Sequence, residues 1–137
     1  MNRAGQAHAM RIDSEDDIIA VRRRVREFAE ARKFDSFATA AITTAASELA
    51  RNALVHGGKG VAEIAEVTDG YRIGIRLVFE DKGPGIVDLS RALAGGHSTM
   101  RTMGLGLSGS KRLVDEFEID TKPGAGMKVM VMKWKRF

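Results

Sequence analysis

The sequence contains no cysteine, which excludes disulfide bonds, thiolate zinc sites and cysteine nucleophiles. It also lacks any apolar run close to the roughly 20 residues that span a bilayer, and its first residues lack the apolar stretch of a secretory signal. No segment interleaves basic and aromatic residues, as nucleic-acid-binding segments do. We therefore expect a cytoplasmic protein that binds neither membranes nor nucleic acid directly.

The 137 residues suit one domain with one core, and we expect a single domain over residues 1–137. The formal net charge is +4. Much of it comes from Arg22, Arg23, Arg24 and Arg26, which lie among acidic residues of the same segment. This mixture is typical of a solvated helix face.

The spacing of apolar residues predicts helices followed by strands along most of the chain. We predict a strand at 8–12, helices at 15–33 and 37–55, strands at 61–67 and 71–80, a short helix at 87–94, a mobile loop at 95–103, a helix at 104–115, and strands at 117–121 and 127–134. Ser14 and Asp35 are expected to cap the first two helices. This order favours an α+β fold: a two-layer sandwich with helices on one face of a mixed, mainly antiparallel sheet.

The run Asp81-Lys82-Gly83-Pro84-Gly85-Ile86 follows the strand at 71–80. Glycine permits positive φ and lets a ligand approach the main chain, and Pro84 fixes φ between the two glycines. An acid at the end of a strand before such a turn indicates a binding loop. The same six residues also suit an ordinary surface turn with an exposed acid.

Glu48 and Asn52 are four residues apart on the second predicted helix, so their side chains project from the same face one turn apart. Asn52 offers a hard oxygen ligand that suits Mg²⁺. A carboxylate beside it is placed to position or deprotonate a hydroxyl nucleophile near a metal-bound phosphate. The alternative is a solvated pair on an amphipathic helix. The three histidines have no metal-ligand spacing and are interpreted as ordinary residues.

Gly104-Leu105-Gly106 opens the third long helix in this reading. Free N–H groups at a helix start attract phosphate, and glycine lets the phosphate approach. In this interpretation the loop at 95–103, which contains a serine, threonines and Arg101, closes over the phosphates as a lid. A flexible loop followed by a helix start is the alternative interpretation.

Taken in order, these motifs resemble those of the GHKL ATPase family, which includes gyrase B, Hsp90, histidine kinases and MutL. The motifs are Glu48-x-x-x-Asn52, Asp81-x-Gly83-x-Gly85, Gly104-x-Gly106 and Gly124-x-Gly126. Within the family, residues 42–52, 80–86 and 104–117 are similar to the anti-sigma-factor serine/threonine kinases, above all the RsbT-type switch kinases of the stressosome. Neither a Walker A sequence nor the catalytic loop of ordinary protein kinases is present.

The resemblance implies a Bergerat-type fold, bound ATP and Mg²⁺, and a role for each matching residue. Glu48 matches the catalytic base, Asn52 the Mg²⁺ ligand and Asp81 the acid that accepts a hydrogen bond from the adenine amino group. The remaining cofactor-binding positions are Gly83 and Gly85 in the adenine loop, and Gly104, Leu105, Gly106 and Gly109 at the lid and helix start.

The partners that the resemblance implies are STAS-domain antagonist and scaffold proteins and a PP2C-type phosphatase. The kinase would phosphorylate a serine or threonine of the STAS protein and, once released, bind and activate the phosphatase. One position departs from the pattern, because Met127 stands where the third glycine box usually has a threonine. The alternative function is a nucleotide-gated binding module, a pseudokinase or anti-sigma factor that sequesters its partner.

Overall fold

The computed structural model describes residues 2–84, 101–121 and 123–136. The elements in chain order are β1 (Asn2–Ala4), β2 (His8–Ile12), α1 (Glu15–Ala31), α2 (Ser36–Val55), β3 (Gly60–Asp69), β4 (Arg72–Asp81), α3 (Arg101–Leu113), β5 (Glu116–Thr121) and β6 (Met127–Trp134). Helices and strands form separate layers, as the α+β prediction requires.

The strands form one sheet with the order β1-β3-β4-β6-β5, and β2 also pairs with β3. β1 and β2 share one edge of β3, with Ala4 opposite Val67 and His8 opposite Ile64. Every pairing between the described strands is antiparallel. The register brings Gly60, Asp81 and Met127 into one row at the end of the sheet.

The core lies between the helices and one face of the sheet. Ile75, Leu77 and Phe79 alternate along β4 and are buried in this core, as the period-2 pattern predicts. The predicted apolar stripe of α2 is also buried, and much of it is alanine. Because the distance between packed elements depends on the side chains in contact, these alanines let α2 lie close to its neighbours.

Both predicted helix starts are confirmed by their caps. The Asp17 carboxylate accepts hydrogen bonds from the backbone N–H groups of Asp13 and Ser14, at 2.7 and 3.2 Å. The Asp35 carboxylate accepts from the backbone N–H of Ala38 at 2.7 Å. Each carboxylate satisfies helix-start donors that have no partner within the helix.

Three local predictions differ from the structure. β1 was not expected, because a three-residue strand has too few positions to show alternation. Tyr71 lies in the hairpin turn and is 83% exposed, so it does not begin the strand. Residues 101–103, expected in the loop, belong to α3. The predicted helix at 87–94 and the rest of that loop lie outside the described residues.

The C-terminal end of α3 is joined to β6 by three hydrogen bonds. The buried Lys133 ammonium donates to the carbonyl oxygen of Leu113 at 3.1 Å. The backbone N–H of Asp115 donates to the Met132 carbonyl at 2.9 Å, and the Asp115 carboxylate accepts from the Trp134 N–H at 2.7 Å. A cation at a helix C-terminus also interacts favourably with the helix dipole.

None of the described helices is long and apolar enough to cross a membrane.

Candidate nucleotide site

Asp81 ends β4 with its side chain on the helix-facing side of the sheet and is only 8% exposed. Its Oδ1 accepts a hydrogen bond from the backbone N–H of Gly83 at 2.9 Å. Burial raises the pKa of the Asp81 carboxyl above its ordinary value, and the nearby backbone N–H groups of Gly83 and Met127 partly oppose the shift. The hydrogen bond from Gly83 sets the orientation of the carboxylate.

Three glycines pack so closely around Asp81 that no side chain fits in their places. A Cβ on Gly57 would overlap the Asp81 carboxyl carbon and lie 2.7 Å from the Ala53 carbonyl oxygen. A Cβ on Gly83 would lie 2.6 Å from the Cα of Gly57. Gly126 has φ of 85°, and a Cβ there would overlap the Asp81 backbone. The backbone segments around Asp81 are therefore packed without space for a side chain at these three positions.

His56 caps the C-terminal end of α2 and is close enough to Asp81 for the two groups to affect each other's ionisation. Burial lowers the pKa of the His56 imidazole, and the neighbouring Asp81 charge opposes this effect. The sequence-based interpretation of His56 as an ordinary residue missed this pairing. No local signal shows it, because 25 residues of chain separate the two side chains.

Glu48 and Asn52 lie one turn apart on α2 and face α3, as their spacing predicts. A Cβ on Gly106 would be 3.5 Å from Asn52 Oδ1 and 3.6 Å from Glu48 Oε2. Both oxygens are therefore close to the same glycine of α3. The structure thus brings together three of the predicted site residues.

The Asn52 side chain is 5% exposed, and its Nδ2 has no hydrogen-bond partner among the described residues. A buried amide without a partner is costly, and such exceptions often mark functional positions. The Oδ1 and Nδ2 atoms of Asn52 together offer one acceptor and unused donors at this point.

These residues fit a Mg²⁺ ion that is shared with phosphates. The described residues contain no cluster of three or more His, Cys, Asp or Glu side chains able to hold a metal by themselves. Mg²⁺ is usually held by one or two protein oxygens together with substrate phosphates and water. The amide and carboxylate oxygens of Asn52 and Glu48 are hard ligands of that kind.

The C-terminal turn of α2 connects the two parts of the site. The carbonyl oxygen of Asn52 accepts from the backbone N–H groups of both His56 and Gly57, at 2.9 and 3.2 Å. A cavity of about 570 Å³ lies beside this turn and is lined by residues 57–61, by Asp81 and by Lys82, among others. This volume lies within the range of small-molecule sites, roughly 300–1,000 Å³.

The other predicted cofactor-binding positions lie in α3 or outside the described residues. Gly104 and Leu105 lie within α3, so Gly104-x-Gly106 is inside the helix rather than before it. The position of a Cβ on Gly109 meets no atom within 4 Å. Gly85 lies outside the described residues. Sequence reasoning missed the contact of Gly57 with Asp81, because a glycine at that position is already explained by the end of α2. It also missed the backbone N–H of Met127 near the carboxylate.

Comparison with known proteins identifies the family of the chain. The family described as Histidine kinase-like ATPase domain matches residues 13–134. The Serine/threonine-protein kinase RsbT of Bacillus subtilis (strain 168) is 42% identical over 127 residues, covering 93% of this chain and 96% of that protein. The Anti-sigma F factor of Thermoanaerobacter sp. (strain X514) is 31% identical over 99 residues, or 68% of each chain.

A solved structure supports the fold. The RsbU and RsbW domains of a Mycobacterium tuberculosis protein superpose with a TM-score of 0.66 over 97% of this chain, at 21% identity. This chain spans 34% of that longer one, and the likeness concerns the fold alone. Together, the family match over most of the chain and the identity to RsbT show that the protein belongs to the histidine kinase-like (GHKL) ATPase family, in the branch of anti-sigma factors and RsbT-type serine/threonine kinases.

Proposed function

We propose that the protein is an ATP- and Mg²⁺-dependent kinase that phosphorylates a serine or threonine of a STAS-domain antagonist protein. The observation that carries the proposal is the approach of Glu48 Oε2 and Asn52 Oδ1 to the same glycine of α3. A candidate base and a candidate metal ligand thus lie side by side, one helical turn apart. The family membership and the identity to RsbT support the same reaction.

Each residue has a distinct role in this proposal. Asn52 holds the Mg²⁺, which when bound neutralises charge on the phosphates. Glu48 accepts the proton of the attacking hydroxyl as it reaches the γ-phosphate. Asp81 accepts a hydrogen bond from the adenine amino group, and the bond from the Gly83 N–H keeps its carboxylate oriented for this contact.

The proposal extends to the partner switch that the family resemblance implies. A STAS-domain scaffold holds the kinase in the cytoplasm until it is released, and the free kinase then binds and activates a PP2C-type phosphatase. The single domain at residues 1–137 serves both purposes. The similarity to RsbT and to an anti-sigma factor supports this assignment of partners.

The Glu48→Gln variant tests the proposed chemistry. Glutamine keeps the shape and polarity of the side chain but cannot accept the proton, so phosphorylation of a STAS-domain partner should fall by roughly 10²–10⁴-fold. Binding of ATP and of the partner should change little, because the carboxylate acts mainly during transfer. Radiolabelled ATP measures the transfer, and a pull-down with the same variant measures partner binding.

Glu27→Gln, a change at an exposed glutamate of α1, is the matched control and should leave phosphorylation unaltered. Full activity in Glu48→Gln would rule out Glu48 as the base.

One observation favours a second function, a nucleotide-gated binding module. Met127 is only 6% exposed, so a buried apolar side chain occupies the position where a hydroxyl contact to the nucleotide was expected. If the wild type and Glu48→Gln are equally inert towards every STAS partner that they bind, the binding-module function replaces the kinase.

A further inference from the structure

A second cleft lies between α1 and α2 and shares no residue with the nucleotide site described above. Its volume is about 560 Å³. α1 supplies Arg22, Arg26 and Glu30 to its walls, and α2 supplies mainly hydroxyl-bearing residues. The cleft therefore has two arginines on its α1 wall and threonines on its α2 wall.

The α1 wall of the cleft carries two positive charges next to each other. Arg22 and Arg26 are exposed and one turn apart on α1, and neither forms an ion pair within the described part of the chain. Like charges at this spacing repel each other. An anion between the two guanidinium groups would remove that repulsion and accept hydrogen bonds from both.

The opposite wall carries a buried hydroxyl without a partner. Thr43 is 6% exposed, and its Oγ1 makes no hydrogen bond with any described residue. Thr39, one turn earlier, donates to the Phe34 carbonyl only at 3.4 Å. Since buried polar groups are almost always paired, the Thr43 hydroxyl indicates an acceptor from outside the chain.

The helix connection gives the cleft two different ends. α1 and α2 run antiparallel across the short turn at residues 32–35, so residues at equal distances from the turn lie opposite each other. Arg22 and Arg26 therefore lie beside the threonines, whereas Glu30 lies nearer to Ser36 at the start of α2. One end of the cleft is cationic and the other carries a single carboxylate.

We propose that this cleft binds a small phosphate monoester that also carries an ammonium group. The phosphate contacts Arg22 and Arg26, and the ammonium group lies at Glu30. The Thr43 hydroxyl, whose oxygen is not exposed to the cleft in this structure, reaches the phosphate by a rotation of its side chain. A phosphate suits this end better than a carboxylate, because its three terminal oxygens can accept from two guanidinium groups and a hydroxyl together. The volume leaves room for the body of the ligand against Phe34 and Ala40.

O-phosphoserine is the test ligand, because it carries both groups. It is titrated into the intact protein while the backbone amide signals of residues 39–44 are followed by NMR. Arg26→Gln should weaken binding about tenfold, the effect of losing one charge-assisted hydrogen bond. Arg24→Gln is the matched control, since Arg24 lies on the same helix outside the cleft, and it should bind like the wild type.

The Thr43→Val variant tests whether weaker binding could be caused by misfolding. Valine has the shape of threonine without the hydroxyl, so the variant should have a higher melting temperature and yet bind O-phosphoserine more weakly. Loss of binding in a more stable protein cannot be explained by unfolding. Equal affinities in the wild type, Arg26→Gln and Thr43→Val would overturn the proposal.

Two further ligands identify the source of the phosphate. Serine should not bind, and a phosphoserine peptide with blocked termini should bind more weakly than the free amino acid, because it lacks the ammonium group. Tighter binding of the peptide would overturn the role of Glu30 and place the phosphate on a protein side chain. None of these outcomes depends on ATP binding or kinase activity, so they are independent of the function proposed above.

Discussion

The two parts of the nucleotide site are built in opposite ways. Around Asp81, three glycines leave no room for a side chain, an atom added at Gly57 would overlap the carboxyl group, and the Gly83 N–H already hydrogen-bonds to it. Around Glu48 and Asn52, the neighbouring glycine leaves room for a methyl group, and a buried amide has no partner among the described residues. Folding alone therefore orders the part around Asp81, whereas the part around Glu48 and Asn52 keeps hydrogen-bonding capacity for a ligand.

Among the variants that test this contrast, the largest effect is expected from Gly57→Ala, which adds one methyl group to the tightly packed part around Asp81. The methyl overlaps the Asp81 carboxyl group and the Ala53 carbonyl oxygen, so either the backbone or the carboxylate must move. Overpacking of this kind costs about 1–3 kcal/mol of the free energy of unfolding. ATP affinity, measured by calorimetry, should fall as well, because the carboxylate loses its orientation.

A double-mutant cycle shows whether Gly57 acts through Asp81. In the Asp81→Asn background, Gly57→Ala should cause little further loss of ATP affinity, since coupled residues are not additive. Gly5→Ala is the control, because its added Cβ makes an ordinary contact of 3.6 Å. Additive losses in the cycle would mean that Gly57 does not position the carboxylate.

Asn52→Ala changes the part around Glu48 and Asn52, where stability and binding should move in opposite directions. Alanine improves helix propensity by roughly 0.6 kcal/mol and removes the buried amide without a partner, so the free energy of unfolding should rise. The affinity for ATP should fall about tenfold in the presence of Mg²⁺ and much less in its absence. Unchanged Mg-ATP affinity in calorimetric titrations would contradict the assignment of Asn52 as a metal ligand.

Gly106→Ala is the direct counterpart of Gly57→Ala. The added Cβ would lie at ordinary contact distances from Asn52 and Glu48, and replacing a glycine inside a helix stabilises by up to about 1 kcal/mol. Phosphoryl transfer should nevertheless slow, because the methyl group occupies space between the metal ligand and the base. Urea denaturation and a kinase assay on the same preparation test both expectations. A destabilised variant would show that Gly106 is as tightly packed as Gly57.

The smallest effect concerns the pH dependence of stability near Asp81. The pKa of His56 is lowered in the folded protein, so its contribution to stability is fully present above about pH 6.5. That contribution is lost as the pH falls through the lower folded value, because the unfolded chain then binds more protons. The raised pKa of Asp81 acts with the opposite sign at lower pH, where protonation favours the folded state.

His56→Gln should therefore flatten the decline in stability between about pH 7.5 and 5.5. Urea midpoints across this range measure it, with His8→Gln as the control, since His8 lies on the edge strand β2. An identical decline in the wild type and in His56→Gln would exclude His56 as the responsible group.

Sequence patterns predicted the fold well where the signals are local. β2, both long helices and their caps follow from periodicity and from Ser14 and Asp35. The α+β class and the family are confirmed. The pairing of Glu48 with Asn52 on one face follows from helix geometry, because four residues make about one turn.

The sequence patterns could not predict contacts between segments that are far apart in the chain. Gly57 is explained locally by the end of α2, yet its close packing depends on the position of Asp81 on another element. The cleft beside Thr43 likewise depends on how α1 crosses α2. The catalytic, metal and adenine roles of Glu48, Asn52 and Asp81 remain predictions that the variants above test.

The hydrogen bonds between Leu113, Asp115 and β6 have a mechanical consequence. They fix the C-terminal end of α3 to the sheet, while Gly104 and Gly106 lie near its other end. The helix is about 18 Å long from Arg101 to Leu113. If the helix stays rigid, its glycine-bearing end moves by rotation about the Leu113 end. A rotation of about 10° would move Gly106, about 10 Å from Leu113, by roughly 2 Å next to Glu48 and Asn52.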